Sequence, residues 1–346
     1  MARLRLRHLL VTGGAGFIGS AFVRERLRAD PEIRLSVLDK LTYAGSEENL
    51  GEARNDQRLR FVQGDICDRG LVDRLASEAD AIVNFAAESH VDRSLLDPGA
   101  FVQTDVYGTY VLLEAARKHR HQRYLQVSTD EVYGHVKEGR SREEDRLVPR
   151  SPYSATKVGG DMLVGAYHAS FGLPTLITRG ANTYGPFQFP EKIIPLFITN
   201  ALQNLALPIY GDGSAVRDYI YVDDHVSAIA RVLWKAEPGS IYNIGLGSEI
   251  SGVQVADTVL RLCGKSASLK TFVKDRPGHD YRYALDVRRL RPLGWEPTVK
   301  FEDGMRVTVD WYRNNEVWWR RRKAPEFWEF YRRNYRGLPE TAIPSS

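Results

Sequence analysis

Hydrophobic and polar positions along the first half of the chain alternate between two periods, one suited to buried strands and one to helices. Residues 8–12 (His-Leu-Leu-Val-Thr) form a short apolar run, a glycine-rich stretch follows, and residues 17–29 carry a helical pattern that Asp30-Pro31 ends. Ile33 to Asp39, Arg58 to Gly64, Ala81 to Ala86 and Arg123 to Thr129 read as further strands, and Asp97 to His119 as one long helix. Ser151 is placed to cap a helix that begins at Pro152 and runs to about Phe171, with a strand over 175–179 after it. Strands alternating with helices in this way predict an α/β fold around a parallel sheet covered on both faces.

The texture changes after Gly185, where proline and glycine punctuate residues 185–213, yet Ile241-Tyr-Asn-Ile-Gly245 again looks like a strand of the first unit. The expected organisation is a Rossmann-type doubly wound sheet over residues 1–188, rejoined by roughly 222–247. A smaller, interleaved α/β substrate lobe takes 189–221 and 248–346. The arginine- and aromatic-rich stretch 311–336 has a composition that can stack on nucleic-acid bases. It reads better as one or two amphipathic helices packed on the substrate lobe, with their arginines reaching to solvent.

Composition narrows the function. The 346 residues carry a net charge of +4, and 37 arginines against 11 lysines supply most of the positive charge, which suits an anionic ligand without demanding nucleic acid. Cys67 and Cys263 are the two cysteines, read as buried thiols, and no cysteine or histidine spacing suggests a metal. With no signal-peptide pattern and no run of about 20 apolar residues, a cytoplasmic protein without membrane contact is expected.

Gly13-Gly-Ala-Gly16-Phe-Ile-Gly19 lies between a predicted strand and a predicted helix. Small residues there let the backbone approach a pyrophosphate, and the helix N-terminus supplies N–H donors and positive dipole. Asp39, 20 residues after Gly19 at a strand end, is placed to accept from ribose hydroxyls, which favours NAD over NADP. Neighbouring Lys40 works against that preference. Asp65 and Ile66 are placed to reach the adenine, and Ala86 and Ala87 to leave room for the cofactor. Gly13, Gly16, Phe17, Ile18, Gly19, Asp39, Lys40, Thr42, Asp65, Ile66, Ala86 and Ala87 form the expected cofactor set, joined by Tyr153 and Lys157.

Tyr153 and Lys157 lie one turn apart on the capped helix, where an ammonium beside a phenol is expected to lower the phenol pKa and equip it to deprotonate an alcohol. The same spacing recurs at Tyr133 and Lys137, flanked by Gly134 and Gly139 in what reads as a loop. Thr129, Asp130 and Glu131 precede the helix and add two carboxyl groups, which points to an elimination coupled to redox chemistry.

Longer segments carry a family resemblance. Asp39-Lys-Leu-Thr-Tyr-Ala-Gly45, Phe85-Ala-Ala-Glu-Ser-His-Val-Asp-Arg-Ser94, Ser128-Thr-Asp-Glu-Val-Tyr-Gly134 and Tyr184-Gly-Pro-Phe-Gln-Phe-Pro-Glu-Lys192 are four of them. Val216-Arg-Asp-Tyr-Ile-Tyr-Val-Asp-Asp-His225 and Asp275-Arg-Pro-Gly-His-Asp280 complete the set. The chain resembles the extended short-chain dehydrogenase/reductases and, within them, the dTDP-glucose 4,6-dehydratases. The resemblance implies a lyase cycle on dTDP-glucose. Tyr153 takes the C4 hydroxyl proton as hydride leaves C4, Glu131 removes the C5 proton, protonated Asp130 assists loss of the C6 hydroxyl, and hydride returns to C6. Thr129 would bond the C4 oxygen and Lys157 the nicotinamide ribose. Because adjacent strand residues face apart, the chain must turn at these two acids.

The resemblance also implies substrate contacts from Ser89, Asn182, Lys192, Pro208, Tyr210, Arg217, Asn243, Arg276 and His279, and a homodimer formed through helices 97–119 and 151–171. His90 is assigned a structural role. Gly180, Ala181 and Thr183 depart from the family pattern, and Gly159-Gly160 in a helix interior suggests close packing, with a subunit interface as one site for it. An epimerase or decarboxylase of the same fold is the competing enzymatic reading. A non-catalytic NAD-binding regulator is the more distant one.

Overall fold

The computed structural model describes residues 4–275, 279–335 and 338. Its centre is a seven-stranded parallel sheet. The strands are β1 (His8–Thr12), β2 (Arg34–Asp39), β3 (Leu59–Gln63), β4 (Ala81–Asn84), β5 (Arg123–Thr129), β6 (Thr175–Gly180) and the later strand Ile241–Ile244. Across the sheet the order is Ile241–Ile244, β6, β5, β4, β1, β2, β3, so the direction of winding reverses between β1 and β4. Ligands of such sheets bind at that reversal, beyond the carboxyl ends of the strands.

Strand periodicity divides the apolar side chains between two cores. Leu9, Val11, Leu35, Val37, Val83 and Leu125 pack on one face with Phe22 and Val23 of α1 (Phe17–Ala29) and with Val226 and Ile229 of the helix Val222–Lys235. Leu10, Leu38, Ile82, Tyr124 and Ile177 pack on the other face with Val72 and Leu75, Leu112 and Leu113, and Val164 and Tyr167 from three further helices. Both faces are therefore covered, as the sequence pattern required.

Residues 182–221 leave the sheet and return through Val222–Lys235. Within the excursion, Leu207–Tyr210 pairs in parallel with Lys270–Val273, and Val216–Arg217 pairs antiparallel with Ile250–Ser251. The C-terminal stretch forms three helices, Phe301–Asn314, Glu316–Arg322 and Pro325–Asn334. Its aromatics pack inward: Trp319 is 1% exposed, and the buried Lys323 ammonium donates to Asn200 Oδ1 at 2.7 Å among the rings of Trp319, Phe327 and Trp328. No described helix is long and apolar enough to cross a membrane. Cys67 and Cys263 are half-buried rather than sealed, and burial raises each thiol to about 11.

One helix differs from its sequence reading. Residues 97–119 are a short α-helix (Pro98–Phe101), a π-helical stretch (Val102–Gly108) and a second α-helix (Thr109–Lys118). The active-site helix Pro152–Phe171 lies against the π-helical stretch, and its two adjacent glycines make that approach possible. A Cβ on Gly159 would stand 2.9 Å from Val106 Cγ2, and one on Gly160 would stand 3.0 Å from the Asp105 carbonyl oxygen. The close packing that compensates for these glycines is thus within the chain.

Gly165, in the same helix, faces open space. Gly165→Ala should therefore stabilise the protein by roughly 0.5–1 kcal/mol, while Gly160→Ala, which must displace backbone, should destabilise it by about 1 kcal/mol or more. Urea unfolding of the two variants checks the opposite signs.

Candidate active site

The residues brought to the carboxyl end of the sheet enclose a cavity of about 450 Å³. Its cofactor side begins where β1 runs into the glycine loop. Gly13 has φ +68°, and a Cβ there would lie 2.5 Å from the Ala86 nitrogen; a Cβ on Gly19 would lie 2.2 Å from the Gly13 oxygen. Only glycine lets the loop close against the exit of β4. Gly16 caps α1 without a side-chain hydrogen bond, and the first turn holds no acid, so the helix leaves its positive end uncompensated toward this loop. That cradle fits the pyrophosphate of NAD.

Asp39 is 8% exposed and accepts from the backbone N–H groups of Ala15 and Leu41, both at 2.9 Å. Burial raises its pKa, and these hydrogen bonds pull it back down. Lys40, next to Asp39 in the chain, forms an ion pair with Asp65 at 2.8 Å. Gly13, Gly16, Phe17, Ile18, Gly19, Asp39 and Lys40 all line the cavity, as do Thr42, Asp65, Ile66, Ala86 and Ala87.

Ser151 and Ser154 cap the active-site helix reciprocally, each hydroxyl accepting from the other's backbone N–H at 3.1 Å. The cap holds Tyr153 and Lys157 at the cavity wall, both buried. Lys157 donates to the Val127 carbonyl of β5 at 3.0 Å. The protein alone does not lower the Tyr153 pKa. Burial raises it well above the usual value, Glu131 and Asp105 add to the rise, and a hydrogen bond with Thr129 opposes it. The physical reason is that desolvation and nearby carboxylates outweigh an ammonium that is directed at a strand carbonyl.

The second Tyr-x-x-x-Lys pair serves the core. Tyr133 lies in the 3-10 turn Asp130–Tyr133, donates to Asn243 Oδ1 at 2.7 Å and accepts from Arg179 at 2.9 Å. This network also takes up Asn243, which the resemblance placed against the substrate. Its amide donates to the carbonyls of Ser141 and Asp286, the residue is fully buried, and it lies outside the cavity wall.

The chain turns at the acids. Thr129 ends β5 and caps the 3-10 turn, its hydroxyl accepting from the Glu131 N–H at 3.3 Å. Glu131 faces the cavity with Thr129, Tyr153 and Lys157. Asp130 lies behind that wall at 2% exposure, and its Oδ2 has no hydrogen-bond partner among the described residues. Burial raises its pKa well above the ordinary range, neighbouring Glu131 adds to this, and Arg217 opposes it.

On the substrate side, Ser89, Asn182, Lys192, Pro208, Tyr210, Arg217 and His279 line the same cavity. Lys192 donates to the Ser89 carbonyl. Arg217 is 8% exposed, stacks over Tyr283 at 4.4 Å and donates to the carbonyls of Val216, Asp280 and Tyr281. Among the described residues no carboxylate lies within ion-pair distance of it, so a buried cation at the wall has only neutral acceptors. His279 bonds Asp275 at 2.6 Å. Arg276 lies outside the described residues.

Sequence reasoning missed Glu88, Thr104, His225 and Tyr335, which also line the cavity. Tyr335 belongs to the aromatic tail and packs on Tyr210 with ring centroids 5.3 Å apart. His225 accounts for two departures from the family pattern. Its Nδ1 pairs with the Thr183 hydroxyl at 2.7 Å, and a Cβ on Gly180 would stand 2.5 Å from its ring. Burial lowers its pKa to about 4, so it is neutral at pH 7.

A glycine cradle, a cavity at the sheet reversal and a Tyr-Lys pair define an NAD-dependent enzyme of the extended short-chain dehydrogenase/reductase class. The family model for GDP-mannose 4,6 dehydratase matches residues 10–308, and the chain belongs to that family. It is 48% identical to a dTDP-glucose 4,6-dehydratase of Streptomyces niveus, over 92% of this chain and 96% of that one. It is 51% identical to the low-salt glycan biosynthesis protein Agl12 of Haloferax volcanii, over 89% and 99%. Among solved structures, it superposes on DesIV, a dTDP-glucose 4,6-dehydratase from Streptomyces venezuelae with NAD and TYD bound. The TM-score is 0.89 at 49% identity, covering 91% of this chain and 100% of that one.

Gly13→Ala should abolish NAD binding, because the substitution meets backbone at 2.5 Å and its φ disfavours any side chain. The purified variant should release no NAD on denaturation, whereas the unaltered protein loaded with NAD should release it.

Proposed function

We propose that this protein is an NAD-dependent dTDP-glucose 4,6-dehydratase, forming dTDP-4-keto-6-deoxyglucose. The reading rests above all on one observation: two consecutive carboxyl groups stand in different environments beside a buried tyrosine. Asp130 is buried behind the cavity wall, where desolvation favours its protonated form, while Glu131 faces the cavity. An elimination needs this division, with one group to accept a proton and one to donate it at the same pH.

NAD, which the glycine loop and Asp39 would hold, would supply the hydride acceptor and donor for the redox steps. Tyr153 accepts the C4 hydroxyl proton, with Thr129 bonded to the C4 oxygen. The ketone acidifies C5, Glu131 takes the C5 proton, and Asp130 gives its proton to the departing C6 hydroxyl, which leaves as water. Glu131 then returns its proton to C5. Lys157, held on the Val127 carbonyl, orients the nicotinamide ribose, and Asp39 receives the adenosine ribose. Arg217, without a carboxylate partner among the described residues, binds the substrate diphosphate, with Lys192, Asn182 and His279 around it. Pro208 and Tyr210 form the wall against the base.

A homodimer through helices 97–119 and 151–171 is part of this proposal. Leu95, Leu96, Val102 and Met162 are each 45–54% exposed on or beside those helices, an apolar surface suited to a second copy. Light scattering should give twice the monomer mass at micromolar concentration; a monomer throughout would refute the dimer.

dTDP-glucose deuterated at C4 should yield a keto product with the label at C6, and a product that keeps its C6 hydroxyl would contradict the reading. Tyr153→Phe should lower kcat by about 10²–10⁴-fold. Asp130→Asn should still oxidise C4, so that NADH absorbance accumulates in a single turnover without product. The pH profile follows from the sign of the Asp130 shift. The donor works in its protonated form, so its raised pKa extends the active range upward, and kcat falls as pH rises past that pKa.

A further inference from the structure

Four segments far apart in sequence meet at one edge of the cavity. Tyr43 stands in the loop after β2, four residues beyond Asp39; Arg93 in the short helix Val91–Ser94 after β4; Glu191 just ahead of the helix Ile193–Leu202; and Phe330 in the C-terminal helix Pro325–Asn334. The Tyr43 hydroxyl donates to one Glu191 carboxylate oxygen at 2.6 Å, and Arg93 Nε donates to the other at 3.0 Å. The Arg93 guanidinium is sandwiched between the Tyr43 ring at 3.8 Å and the Phe330 ring at 4.5 Å. The Glu191 side chain is 2% exposed, so this ion pair is held largely out of water.

The cluster has a defined relation to the two halves of the site. Thr42 and Ala44, on either side of Tyr43, line the cavity on the cofactor side, and Glu191 and Lys192 line it on the substrate side. Tyr43, Arg93 and Phe330 are not part of the wall. A second tie holds the C-terminal helix in place, since Asn334 donates to Asp92 Oδ2 at 3.0 Å and to the Tyr210 hydroxyl at 2.6 Å. The Tyr43 bond to Glu191 thus links the loop after β2 to the segment ahead of Ile193–Leu202, and the Arg93 bond ties the short helix after β4 to the same carboxylate.

The proposed cycle sets a demand that this arrangement meets. Hydride removed from the sugar must return to the same sugar, so a reduced cofactor that escapes midway leaves a dead complex. We propose that Tyr43, Arg93, Glu191 and Phe330 form a clasp that fastens the cofactor loop to the substrate lobe and keeps the dinucleotide bound between turnovers. These are positioning residues that act through the loop. The inference rests on the dehydratase reading for its purpose, but its test needs no sugar.

The experiment is an exchange measurement. Protein loaded with radiolabelled NAD is mixed with excess unlabelled NAD, and the label retained is followed by rapid filtration. Arg93→Met and Phe330→Ala should each release NAD about 10-fold or more faster, since changes of this kind act chiefly on dissociation. Tyr43→Phe, which removes one hydroxyl and keeps the stacking ring, should release it about 3-fold faster and guards against loss of fold in the other two. Release by folded Tyr43→Phe within experimental error of the unaltered protein, or by folded Arg93→Met and Phe330→Ala within about two-fold of it, would overturn the clasp. Label transfer from C4 to C6 is a separate readout, so either idea can fail while the other stands.

Discussion

The site depends on a change of chain direction at Thr129. Had β5 continued, Asp130 and Glu131 would face opposite sides of the sheet and could not serve one substrate. Instead the Thr129 hydroxyl caps a single 3-10 turn, which leaves Glu131 at the cavity and Asp130 in the protein behind it. Burial raises the Asp130 pKa well above the ordinary carboxylate range and neighbouring Glu131 adds to the rise, so the two acids stand in different environments.

The remaining groups are arranged around the end of that strand. Lys157 is anchored on the Val127 carbonyl two residues before Thr129, Tyr153 shares a hydrogen bond with Thr129 itself, and the active-site helix reaches them by resting its paired glycines on the π-helical stretch 102–108. The substrate lobe contributes the complementary charge. Arg217 is buried on the Tyr283 ring, with carbonyl partners only among the described residues. The C-terminal helices reach back over this lobe, and through Phe330, Asn334 and Tyr335 they join the wall of the cavity to the loops that follow β2 and β4.

Much of this was legible in the sequence because it follows from local rules. The glycine loop, the strands and the Ser151 cap are each set by spacing and residue type within a few positions, and the turn at the acids followed from the roles that the family resemblance implies. Features set by packing across the chain were less visible. A π-helical stretch has no sequence period of its own at 102–108, and Gly159-Gly160 showed that something approached closely without showing what. Asn243 sits in a segment that reads as a strand, and only the fold shows its amide bonded to core carbonyls. The Tyr153 pKa shift runs opposite to the local expectation because burial and two carboxylates outweigh one lysine. The amphipathic-helix reading marked the aromatic tail as packed, against a composition that also suits nucleic-acid bases; only the fold shows that Tyr335 reaches the cavity.

The central claim is that Asp130 is protonated at neutral pH while its neighbour Glu131 serves as the base. Infrared difference spectroscopy between the unaltered protein and Asp130→Asn tests it directly. The account requires a protonated-carboxyl C=O band at neutral pH that is missing from the variant and disappears from the unaltered protein only at higher pH. A spectrum in which Asp130 contributes ionised carboxylate bands at neutral pH would contradict it.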